Sequence, residues 1–62
     1  MNIQKVLNAQ TAEEARSLAI EYQSWASNRA MSYSEVANWQ ECFITLAGRF
    51  RLYEEFKQNG II

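Results

Sequence analysis

The chain has no histidine, no aspartate and no proline, and only one cysteine, Cys42. Each shortage excludes something. Without His or Asp, the usual catalytic acids, bases and metal ligands are nearly all missing. A structural zinc has no Cys/His cluster to hold it. Cys42 has no partner within the chain, so a disulfide framework is excluded. Long apolar runs are missing too: none approaches the roughly 18 residues that a spanning helix needs. Charge of one sign is equally scarce. Six Lys and Arg face seven Glu, for a net charge of −1. That balance gives no electrostatic case for nucleic acid or for an anionic membrane. Met1 to Gln10 holds one Lys and no apolar stretch long enough for a signal peptide. The expectation is a cytoplasmic protein whose lone thiol stays reduced. A Met start and a stop signal near the end suggest a complete small protein.

What is present is a short, strongly apolar chain. At 62 residues it is one domain, and 48% of it is hydrophobic. Area scaling predicts about 4,100 Å² exposed when folded and about 10,400 Å² unfolded, so only about 60% of the surface is buried. Domains of this size are marginal without a staple. With disulfide and metal excluded, oligomerisation is the staple that remains, and a homodimer is expected.

The pattern is helical throughout. Thr11 and Glu14 form a capping-box pair, each side chain covering a backbone N–H that the helix start leaves unpaired. Ala12, Ala15, Ala19, Tyr22 and Ala26 then recur at spacings of three and four, widened by Leu18, Trp25 and Ala30. This predicts an amphipathic helix over about 12–30. Ser32 and Glu35 make a second capping box, with Ser34 as an alternative cap. Val36, Trp39, Phe43, Leu46, Phe50 and Tyr53 follow as a heptad seam. One helix over about 34–58 is predicted. It should stop at Asn59-Gly60, with Gly60 left-handed and Ile61 returning to Phe56. The two helices would be about 28 Å and about 37 Å long. A short connection makes them an antiparallel hairpin. Ile3, Val6 and Leu7 have helical spacing, so a short helix over about 3–9 is expected to cover the overhang at Tyr53, Phe56 and Ile61. The fold class is therefore all-α, a hairpin with a short N-terminal helix, pairing into a dimeric four-helix bundle. In length and layout it is similar to the Rop-type helical hairpin dimer that binds RNA in plasmid copy control. The likeness lies in length and hairpin layout alone and implies no function.

The chemistry-bearing groups all have plainer roles. Tyr22, Trp25, Trp39, Phe43, Phe50, Tyr53 and Phe56 could stack bases only if exposed among basic residues. Opposite a row of alanines they read as core. Arg49-Phe50-Arg51 looks basic-aromatic, but Arg51 is better placed to pair with Glu54 and Glu55. Cys42 lies more than a turn inside a helix beside Glu41, with nothing to activate it, and reads as a small hydrophobe. The Glu residues mostly avoid the inward stripe and lack a His partner. No catalytic, cofactor-binding or metal residue is assigned, and no cofactor or small-molecule substrate is expected.

A second apolar row carries the functional expectation. Ile44, Gly48, Leu52 and Phe56 are spaced by four, and Ile44, Gly48 and Leu52 lie away from the seam. Ser17, Ile20, Ser24, Ser27 and Met31 form an off-seam row on the first helix. A ridge with a glycine notch suits close helix approach. Ile20, Ile44, Gly48, Leu52 and Phe56 are thus the expected interface with a second copy or a protein partner. The expected role is a small non-enzymatic regulator or adaptor, of the size common among phage and plasmid proteins. The alternative is a nucleic-acid-binding dimer using Arg16, Arg29, Arg49 and Arg51. No membrane role is expected.

Overall fold

Asn2 opens the first helix. Its Oδ1 accepts from the amides of Gln4 at 2.8 Å and Lys5 at 3.4 Å. In the computed structural model, which describes residues 1–62, α1 spans Ile3–Leu7. The second helix, α2, spans Ala12–Ser27. Thr11 Oγ1 accepts from the Glu14 amide at 3.1 Å, but Glu14 reaches back to the amide of Gln10 rather than Thr11. The capping box is therefore shifted by one residue on its return arm. The helix ends at Ser27 instead of the expected Ala30, and Ala30 is exposed. Ser27 Oγ and Asn28 Nδ2 both donate to the Ser24 carbonyl at 3.0 Å. Such short polar side chains compete with the helical backbone and favour its ends.

The third helix, α3, spans Tyr33–Phe50 and starts with a complete capping box. Glu35 donates its amide to Ser32 Oγ, and Ser32 donates its amide to Glu35 Oε1, both at 3.3 Å.

The single helix expected over 34–58 is two helices. Arg51 takes left-handed dihedrals, φ 58° and ψ 46°, and α4 starts afresh over Tyr53–Gln58. A left-handed residue with a Cβ costs roughly 1–2 kcal/mol. The bend recovers more than that. It turns Leu52, Phe56 and Ile61 inward to between 1% and 5% exposure. Each such burial contributes about 1.5–3 kcal/mol. A straight helix of that length would also exceed the molecule's longest dimension, 28 Å. At the far end the stop signal acts as its sequence indicates. Gly60 has φ 74°, and the Ile61 amide donates to the Phe56 carbonyl at 2.8 Å.

The bend also removes the overhang that α1 was expected to cover. Instead α1 lies beside α3: Ile3 and Leu7 line a cleft with Asn38, Glu41, Cys42 and Thr45. Arg49 Nη1 donates to the Leu7 carbonyl at 2.8 Å. Phe56 and Ile61 instead share a cleft with Ala19 and Gln23 of α2, and Gln23 Nε2 donates to the Asn59 carbonyl at 2.6 Å. Helices α1 and α4 meet different sides of α2, the first at Leu18, Glu21 and Trp25, the second at Arg16, Ala19 and Gln23.

The core between α2 and α3 is aromatic. Tyr22 lies 5.2 Å from Trp39 and 4.9 Å from Phe43, ring centre to ring centre, and Trp25 lies 5.5 Å from Trp39. Residues later in α2 thus meet residues earlier in α3. Phe43 continues the cluster to Phe56 at 5.9 Å. Ala15 and Ala19 are buried opposite these rings, while Trp25 and Phe50 are half-buried. Tyr53 leaves the expected seam and is exposed, because the bend rotates it outward. The accessible surface is 4304 Å², close to the roughly 4,100 Å² expected for a folded chain of this mass.

Candidate interaction face

The expected interface row is divided by the bend. Leu52 and Phe56 are buried in the core of the single chain. Ile44 remains exposed, as does Gly48, on the same side of α3. Ile20 is 68% exposed but sits on α2, along a cleft with Glu55, Asn59 and Ile61. The row survives as Ile44 and Gly48, with Ile20 on a separate element.

Gly48 is the informative position. It lies inside α3, outside the left-handed region. A Cβ built there would meet nothing within 4 Å. No contact in the chain requires a glycine, although glycine inside a helix costs about 0.5–1 kcal/mol relative to alanine.

The arginines do not assemble into a stripe. Arg16 Nε grips both Glu55 carboxylate oxygens, at 3.1 and 2.8 Å. Glu55 is thus the partner of Arg16, not of Arg51 as the helical spacing implied. Arg29 lies 4.4 Å over the Trp25 ring and 3.7 Å from Glu35. Arg49 is held on the Leu7 carbonyl and lies 5.9 Å from the Phe50 ring. Arg51 is exposed at the bend. Three of the four guanidinium groups are therefore committed to other parts of the chain, pointing to different helices.

Cys42 is buried behind α1, and burial raises its thiol pKa to about 11. Burial also raises the Tyr22 hydroxyl, with a smaller contribution from Cys42. Neither group is poised for chemistry near neutral pH. No three carboxylate, thiol or imidazole groups come together as a metal site. No helix is long and apolar enough to cross a membrane.

Two exposed features were not singled out by sequence. Tyr33 is 90% exposed, although it lies three residues before Val36 in the seam. Its place directly after the Ser32 cap was the available signal, since the helix has not yet turned that face inward. A cleft of about 390 Å³ is lined by Met1, Ile3, Trp25, Arg29, Asn38 and Trp39, among others. It exists because α1 lies across both long helices, which periodicity cannot reveal. Comparison with protein-family models, with curated proteins and with solved structures finds no match to this chain.

Proposed function

We propose that this chain is a non-enzymatic interaction protein, a regulator or adaptor, that presents the Ile44–Gly48 side of α3 to a helix of another protein chain. Gly48 carries the reading. Its backbone is exposed in the last turn of α3, and no contact inside the chain requires a glycine there. A helix crossing at that notch could approach closely, with Ile44 supplying apolar contact. In this reading α2 and α3 act as a hairpin scaffold. Pairing of two copies through the same face gives a dimeric four-helix bundle. The expected setting is the cytoplasm.

The test compares the parent with Gly48→Leu. Each is used as bait in a lysate, with and without nuclease, and captured material is identified by mass spectrometry. Light scattering on each follows self-association. Loss of a protein partner or of the dimer, with helicity kept, supports the reading. Equal behaviour of the two proteins rejects it. Captured material that disappears with nuclease would favour the nucleic-acid alternative.

A further inference from the structure

The two halves of the bent segment disagree with their own sequence. The seam from Val36 through Phe50 to Tyr53 keeps helical spacing straight across the bend. Neither residue at the turn is a helix breaker: Arg51 and Leu52 are both good helix formers. Yet Arg51 is the one non-glycine residue with positive φ. The bend exists to bring α4 back onto α2 and α3. What holds α4 there is side-chain contact: Arg16 to Glu55, Gln23 to the Asn59 carbonyl at 2.6 Å, and Phe43 to Phe56. None of these contacts depends on α4 belonging to the same chain.

We propose that α4 is exchangeable between two copies. In the exchanged form Arg51 becomes right-handed, and α3 and α4 join into one helix over 33–58. Straightening carries α4 away from its own α2, so its seat can be filled only by α4 of a second copy. Each copy then gives its α4 and receives the other's, and the dimer closes with two-fold symmetry. The side-chain contacts of α4 with α2 and α3 are remade across the pair, the Leu52–Ala47 backbone bond gives way to the ordinary helical one, and two left-handed arginines are relieved. The occupant is specified by the seat itself, which is complementary to Glu55, Phe56 and Asn59 of this sequence. The exchange stands apart from the Ile44–Gly48 face, because it rests on the bend and on α4.

Two measurements test it. The first is sedimentation over a wide concentration range for the parent, Arg51→Gly and Arg51→Val. Glycine tolerates the bend and should raise the concentration needed for dimer at least tenfold. Valine, which resists the left-handed region, should lower it at least tenfold. If the three proteins associate alike, or none associates, the proposal is overturned. The second uses Arg16→Glu and Glu55→Arg. Each variant alone sets like charges against each other at the seat. Mixed, an exchanged heterodimer restores both ion pairs. Native mass spectrometry at low salt should show heterodimer well above the half share that random pairing gives. A random share would overturn the exchange and leave an ordinary dimer, so this arm fails separately from the Gly48 test.

Discussion

The amide of Leu52 donates to the carbonyl of Ala47 at 2.9 Å, and that bond closes α3. It spans five residues, which forces the intervening Arg51 into the left-handed region. Arg51→Gly should therefore stabilise the monomer by about 1 kcal/mol. Arg51→Ala, which keeps a Cβ, should leave it within about 0.5 kcal/mol. Urea unfolding in the low micromolar range measures both. A glycine variant no more stable than alanine would mean that the bend is not strained.

Phe43 is fully buried and touches the rings of Tyr22, Trp39 and Phe56. Phe43→Ala should cost about 3–5 kcal/mol. For so small a domain that is most of the available stability. Tyr33→Ala, at the most exposed aromatic, should change stability by less than about 0.5 kcal/mol. Thermal melts followed by circular dichroism distinguish the two outcomes.

Gly48→Ala adds a methyl group into open space. It should raise stability by about 0.5–1 kcal/mol. Lower stability in the monomer would show that the glycine serves the fold after all, and would remove the observation behind the proposed face.

The raised thiol pKa of Cys42 makes a pH prediction. The folded state holds its proton up to about pH 11, whereas the unfolded thiol releases it near 9.0. Between those values the native state binds more protons, so stability must fall as pH rises. It is fully present below about pH 9. Tyr22 acts in the same direction at higher pH. Unfolding curves at pH 7, 9 and 10.5 should show the decline, and Cys42→Ala should reduce it. At pH 8 the native thiol should resist alkylation and react only after unfolding.

The Arg16–Glu55 pair is partly solvated, with side chains 48% and 38% exposed. Its coupling in a double-mutant cycle should be about 0.2–1 kcal/mol and should shrink with salt. A larger, salt-independent coupling would show that α4 is held chiefly by this pair rather than by Phe56 and Ile61.

The all-helical character was legible because it rests on local rules. The Ser32–Glu35 box and the Gly60 turn each involve residues within five positions of one another. The bend at Arg51 was not legible, because no local signal marks it. Periodicity reports which residues can share a face, and Phe50 and Tyr53 could. It cannot report that burying Leu52, Phe56 and Ile61 together outweighs one unfavourable backbone conformation. The same limit divided the interface row. Ile44 and Gly48 remained outside, while Leu52 and Phe56 went inward with the bend. The position of α1 depended on the same event, since its expected seat vanished when the chain turned back.

The two tryptophans, Trp25 and Trp39, lie against each other where α2 meets α3, and Phe43 stands between Trp39 and Phe56 of α4. The optical signal of this protein is therefore regional. Tryptophan emission follows the contact of α2 with α3 and is nearly blind to α4. Release of α4 should leave the emission spectrum almost unchanged while the backbone signal moves. Two probes that diverge during unfolding would thus locate the weak joint, whereas either one alone would report a single transition.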